Sequence, residues 1–179
     1  MPKNYYPEKV EIPFHKSSVE MGSVISYLQL LSLPDTKHVA DIKRMAYVMF
    51  RNESGNGKYG INNNYAGIQA DVGRWPAKYD NMIQGVVKKK ENGTGKERLF
   101  CAFLSFGTSL DFLTDRIKER GLYIGGQTHL ITNTVIINQD DLCTAYYREW
   151  VTGNKNYEPT NEQRGSFFSM YNQAIQLFS

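Results

Sequence analysis

Two carboxylates that flank glycine-rich segments are the residues of this sequence best suited to chemistry. Glu53 ends an apolar, helix-forming segment and is followed by Ser54 and a glycine-rich loop, and Asp71 lies 18 residues further on. A proton-donating carboxylic acid and a second carboxylate are the groups that cleave a glycosidic bond. The spacing allows a cleft between the two groups without fixing their separation, so retention and inversion both stay open.

Each carboxylate also has a structural alternative. A glutamate near a helix end is commonly a solvated surface residue, and a negative charge at a helix C-terminus is unfavourable. Asp71 precedes Gly73 and could cap a turn. The residues alone therefore leave a catalytic and a structural role open for both side chains.

The elements that must position Glu53 are predicted from periodicity and breakers. Three prolines predict an extended arm over residues 1–16, and apolar spacing predicts a helix from residue 17 or 18 to about 31. A second helix is predicted over about 37–52, with Glu53 at its C-terminal edge. Glycines and asparagines in residues 54–64 predict a loop.

The remaining segments predict a small sheet and further helices. Tyr65–Val72 is predicted to be a short strand, and Asn92-Gly93-Thr94-Gly95 predicts a hairpin between 82–90 and 97–106, although 99–106 could also be helical. Helices are predicted from 108 or 109 to about 120, with Gly121 as C-cap, over 140–151, and from 160 or 161 to about 178. We therefore expect one domain over 1–179, mainly α within the α+β class.

Two segments resemble the lysozyme-like superfamily. They are Phe50–Gly55 (FRNESG) and Asn64–Gln69 (NYAGIQ). In its transglycosylases, goose-type lysozymes and bacterial glucosaminidases, a helix ends in Glu-Ser and a glycine-containing segment follows. Residues 103–123 are similar to the glucosaminidase segment behind the cleft, and the likeness covers roughly residues 37–125. The transglycosylase lead-in is replaced here by residues 59–64. The resemblance implies a lysozyme-like helical domain with a small β-hairpin insertion.

The resemblance also implies an activity. Glu53 would be the general acid of an enzyme that cleaves peptidoglycan glycan strands, of glucosaminidase or muramidase type, and Asp71 resembles an aspartate of the goose-type enzymes. The substrate's own acetamido group could take the place of Asp71. A non-catalytic glycan- or protein-binding module on the same fold, for example in phage or secretion machinery, is the alternative. Which bond is cleaved stays open.

Five further residues are candidates for binding the sugar. The resemblance implies that the backbone from Gly67 to Gln69 lines the subsites. The Gln69 side chain could bind an N-acetyl group or satisfy the backbone of the loop. Tyr65 and Trp75 could stack on sugar rings, with a core role as the alternative for Trp75. Tyr123 is similar in position to a functional tyrosine of glucosaminidases, or it makes a hydrophobic contact at a helix end.

Composition excludes several other classes. A net charge of +3 with one basic run, Lys88–Lys90, followed at once by Glu91, gives little support for nucleic-acid binding. Two cysteines and three histidines lack metal-ligand spacing, so we expect no metal site and no cofactor. No apolar run is long enough to span a membrane. We expect a monomer.

The N-terminus lacks the apolar core of a signal peptide. The protein would then work inside the cell, leave by a route that needs no cleaved signal, or be a trimmed piece of a longer chain. Made in the cytoplasm and acting at the cell wall, it would suit a phage lysin or an enzyme delivered by a secretion system.

Overall fold

The computed structural model describes residues 1–91 and 94–179. The chain is 42% helical and belongs to the mixed α+β class, which confirms the coarse prediction from sequence. A lysozyme-like fold stays a prediction. The α-helices are α1 (Met21–Leu30), α2 (Val39–Ser54), α3 (Phe106–Arg120), α4 (Gln139–Tyr146) and α5 (Asn161–Leu177), with a 3₁₀ turn at Ala77–Tyr79 and a π-helical turn at Tyr147–Val151.

The described residues also form two antiparallel strand pairs. The long pair, β3 (Ile83–Lys90) with β4 (Glu97–Phe103), confirms the predicted hairpin strands, and Asn92 and Gly93 of the predicted turn lie outside the described residues. The short pair joins β1 (Lys16–Ser17) to β2 (Gly60–Ile61). The sequence did not predict this second pair, since strands of two residues leave no detectable pattern.

The predicted strand over 65–72 is wrong. This segment makes only an isolated antiparallel bridge between Gln69 and Phe100. Two of its backbone N–H groups, those of Ala66 and Ile68, bond to the Asn64 side chain instead of to a neighbouring strand. Gly67 also has a positive φ of 66°, which interrupts extended backbone.

The chain divides into two compact units. Unit 1 consists of residues 1–24 and 50–112, and unit 2 consists of residues 25–49 and 113–179. Helices α1, α2 and α3 each contribute residues to both units. The helices of the described residues are too short or too polar to cross a membrane.

Unit 1 has an aromatic core. The Phe112 ring lies 4.5 Å from Tyr79, 5.1 Å from Trp75 and 5.3 Å from Phe103, measured between ring centroids. Such tilted and edge-on pairs each contribute about 0.5–1.5 kcal/mol beyond the apolar area that they bury. This cluster fixes the segment around Trp75, which the sequence placed near the candidate site.

Unit 2 is built around the terminal helix. The buried residues of α5, Phe167, Met170, Tyr171 and Ala174, follow the i, i+3, i+4, i+7 spacing of a helix face. Thr160 caps α5 in a capping box with Gln163, and the helix predicted to begin at 160 or 161 is confirmed.

Candidate site around Glu53

Glu53 is the penultimate residue of α2 and is half-buried. The neighbouring Ser54 is fully buried, and its hydroxyl donates to the Phe50 carbonyl and accepts from the Gly57 N–H at 2.9 Å. One side chain therefore satisfies groups on both sides of the helix end. In the Glu-Ser-Gly sequence, the serine side chain thus terminates the helix. Its hydrogen bonds hold the backbone of Glu53 in the last helical turn.

The glycine-rich loop after α2 adopts left-handed backbone at three successive residues. Gly55, Asn56 and Gly57 have φ values of 56°, 59° and 82°. A Cβ atom on Gly57 would lie 2.3 Å from the Val19 carbonyl oxygen, so no other residue fits there. The loop predicted over 54–64 is confirmed for residues 55–59, and β2 follows it.

Asn64 fixes the second segment of the site. Its amide is buried, donates to the carbonyls of Ile68 (2.9 Å) and Cys101 (2.8 Å), and accepts from the N–H groups of Ala66 (3.3 Å) and Ile68 (3.1 Å). All four hydrogen bonds are made within unit 1. Asn64 therefore ties the segment 64–68 to β4, a role that the sequence did not assign to it.

An aromatic stack brings the two sequence motifs together. The Phe50 ring in the last turns of α2 lies 4.8 Å from the Tyr65 ring at an angle of 30°. Tyr65 is 2% exposed, so its ring offers no face to a sugar in this structure. The packing favours a structural role for Tyr65, and its proposed stacking on substrate stays a prediction.

The backbone near Gly67 is open. Gly67 is exposed, and no heavy atom lies within 4 Å of the position that a Cβ atom would take. The Gln69 carbonyl accepts a hydrogen bond from the Trp75 indole at 3.0 Å. The 67–69 segment thus presents accessible backbone at one end and is anchored at the other.

Trp75 is held on several sides. Besides its bond to Gln69, its ring packs edge-on against Phe112 and Tyr79, and its backbone N–H donates to the Tyr6 hydroxyl at 2.6 Å. Burial raises the pKa of Tyr6 well above its ordinary value of 10, so this hydroxyl keeps its proton. Of the two roles open to Trp75, these contacts favour the anchor.

Asp71 lies beside the start of β4. Its side chain is 3% exposed and its Oδ2 lies 3.6 Å from Nη1 of Arg98. Its Oδ1 makes no hydrogen bond among the described residues. A pocket of about 440 Å³ lies here, lined by Asp71, Arg98, Lys96, Glu97 and residues 1–3. The ion pair with Arg98 gives Asp71 a structural role that differs from the turn cap considered from the sequence. Its catalytic role stays a prediction.

Tyr123 belongs to unit 2, whereas the other six candidate residues belong to unit 1. Its ring lies 5.1 Å from the ring of His38, and Nδ1 of His38 lies 3.4 Å from Oδ2 of Asp41. Gly121, predicted as the C-cap of α3, has a φ of 64°, and a Cβ atom there would lie 2.0 Å from the Gln127 carbonyl oxygen. The predicted helix end is confirmed.

Comparisons with protein-family models, with curated proteins and with solved structures give no significant match. Within residues 1–91 and 94–179, no group of three or more His, Cys, Asp or Glu side chains is arranged to hold a metal ion. The geometry around Glu53 is therefore the basis for any functional assignment.

Proposed function

We propose that the protein is a glycan-strand hydrolase of the bacterial cell wall, of glucosaminidase or muramidase type, with Glu53 as its general acid. The observation that carries this proposal is the Phe50–Tyr65 stack, which joins the helix end that bears Glu53 to the 64–69 segment. These are the two segments whose residues resemble the lysozyme-like superfamily.

The local structure supports Glu53 as a positioned acid. The Ser54 hydroxyl closes the helix end, and the left-handed loop that follows turns the chain away directly after the carboxylate. A catalytic acid must be held rigidly because small displacements of a reacting group lower the rate strongly. A glutamate on a closed helix end meets this requirement better than one on a flexible loop.

The assistance to Glu53 is assigned to the substrate's acetamido group rather than to Asp71. The Asp71 carboxylate is almost fully buried and pairs with Arg98. A carboxylate that activates water must instead reach the solvent on the far face of the sugar. Substrate-assisted hydrolysis needs no carboxylate nucleophile from the enzyme.

The test is the Glu53→Gln variant. It keeps the size of the side chain and removes the proton donor, so we expect cell-wall lysis to fall by about 10²–10⁴-fold with an unchanged circular dichroism spectrum. Mass spectrometry of the soluble products from the native protein would identify the bond cleaved. Full residual lysis by the variant would remove Glu53 from the mechanism.

A non-catalytic glycan-binding module is the second candidate, favoured by the pairing of Asp71 with Arg98. It predicts that the native protein binds peptidoglycan or chitooligosaccharide and releases no reducing ends. Delivery to the wall by a phage or by a secretion system is compatible with both candidates.

A further inference from the structure

A basic pocket lies in unit 1 beside the loop that follows α2. It has a volume of about 460 Å³, within the range of small-molecule sites. Three of its seven lining residues are lysines and none is acidic: Phe14, Lys16, Lys58, Tyr59, Gly60, Ile61 and Lys89. We refer to these seven residues as the lysine pocket.

Long-range pairing assembles the lysine pocket from distant segments. The N-terminal arm runs parallel to β3, with a bridge between Glu11 and Val86. Phe14, further along the arm, and Lys89, further along β3, both line the pocket. The pairing of Lys16 with Ile61 in the β1–β2 pair adds the other wall.

The three lysines keep their charge available to a ligand. In the part of the chain that the structure describes, Lys16, Lys58 and Lys89 make no ion pair, whereas neighbouring Lys88 lies 3.7 Å from Glu11. Glu91, which follows the basic run in sequence, pairs with Arg98 at 2.9 Å. Glu91, the acidic residue closest in sequence to Lys89, is thus paired outside the pocket, and a lining of three lysines without a carboxylate gives the pocket a net positive field.

The pocket also has an exposed aromatic wall next to the Glu53 turn. Tyr59 is 75% exposed, and its backbone N–H donates to the Ser54 carbonyl at 2.9 Å. Its ring lies under Gly55, where a Cβ atom would come within 2.6 Å of the ring. Phe14 is 40% exposed on the same pocket. Aromatic rings in this setting offer apolar faces on which sugar rings can pack.

We propose that the lysine pocket binds an acidic stretch of the glycan strand, with sugar rings on Tyr59 and Phe14 and carboxylates on the lysines. This inference rests on the proposed function and names the substrate more closely, as a strand that carries carboxylate groups. A neutral chitin chain could pack its sugar rings on Tyr59 and Phe14, but it has no anion for the three lysine ammonium groups. The pocket therefore selects the carboxylate-bearing polymer.

Calorimetric titration tests the proposal with two soluble probes of similar length. One is a peptide-free peptidoglycan strand whose lactyl groups carry carboxylates, and the other is neutral chitohexaose; all proteins carry Glu53→Gln to prevent cleavage. Adding Lys58→Gln and Lys89→Gln should raise Kd for the acidic strand about tenfold, from two lost ion pairs, and leave Kd for chitohexaose unchanged. The matched control adds Lys37→Gln and Lys155→Gln, two exposed lysines outside the pocket, and lowers the net charge by two, as the pocket variant does.

Three results would overturn the proposal. They are an unchanged Kd in the pocket variant, an equal loss in the control variant, and equal affinity for poly(glycerol phosphate), which has anions and no sugar ring. The outcome separates from that of the proposed function. A protein that never cleaves the wall but loses acidic-strand binding in the pocket variant keeps this inference and loses the hydrolase. Cleavage of the wall by the native protein, together with unaltered acidic-strand binding in the pocket variant, does the reverse.

Discussion

Replacement of Asn64 by alanine would remove the side chain that organises the 64–68 segment. Two backbone N–H groups, those of Ala66 and Ile68, would lose their acceptor, and both residues are at most 9% exposed. Each buried donor left unsatisfied costs about 1–3 kcal/mol. The Ile68 carbonyl keeps its bond from the Cys101 N–H, so it adds little. We expect Asn64→Ala to lower the free energy of unfolding by about 2–6 kcal/mol, a large part of the ~5–15 kcal/mol typical of a domain.

Urea unfolding followed by circular dichroism measures this loss. The control is Asn81→Ala, at an exposed asparagine in the turn before β3, which should change the free energy of unfolding by less than about 0.5 kcal/mol. A loss of less than about 1 kcal/mol for Asn64→Ala would refute the reasoning. It would mean that water satisfies the two donors as well as the amide does.

The Asn64→Asp variant separates the accepting and donating roles of the amide. The new carboxyl group can still accept from both N–H groups, but when ionised it faces the carbonyl oxygens of Ile68 and Cys101. Only the protonated form can donate to either carbonyl, so its pKa in the folded state should exceed the unfolded value of about 3.9. The stability of this variant relative to the native protein should therefore be highest below pH 4 and fall as the pH rises. A difference that is independent of pH would contradict the assigned donor contacts.

Three further predictions follow from buried groups. Tyr65→Phe should retain stability and activity, whereas Tyr65→Ala should lower the free energy of unfolding by about 3–5 kcal/mol in urea titration; loss of activity in stable Tyr65→Phe would instead give the hydroxyl a role with substrate. Asp71→Asn and Arg98→Met should each lower Tm, and the double variant should recover part of that loss. Wall lysis should persist in Asp71→Asn. Abolished lysis in this variant at unchanged Tm would instead make Asp71 catalytic. Burial raises the pKa of Cys101 from 9.0 to about 12 and that of Cys143 from 9.0 to about 11. Neither thiol should therefore react with a disulfide reagent at pH 8 unless guanidinium unfolds the protein. The free energy of unfolding should decline above pH 9, because the thiols ionise at lower pH in the unfolded chain than in the folded protein. Rapid labelling of the folded protein would contradict this burial.

Local rules are sufficient for much of the fold. The apolar period of α2, the helix start near Thr160 and the glycine after α3 depend on residues close together in sequence, so the sequence alone predicts these elements. The same holds for the left-handed loop after Glu53, because glycine and asparagine tolerate that backbone wherever they occur. The sequence alone therefore predicts that Glu53 lies at a helix end and that a glycine-rich turn follows it.

Tertiary structure decided how the segments that carry the candidate residues pack together. The Asn64 amide meets the Cys101 carbonyl across 37 residues, and the N-terminal arm meets β3 where Glu11 pairs with Val86. Sequence spacing carries no distance between such partners, so it could not distinguish Tyr65 as a buried stacking residue from Tyr65 as a sugar platform. It likewise could not show that Asp71 pairs with Arg98, since a carboxylate finds its cation only when separate segments pack together. The sequence by itself determined the helix end that carries the acid, and long-range packing determined which neighbouring groups remain open to a ligand.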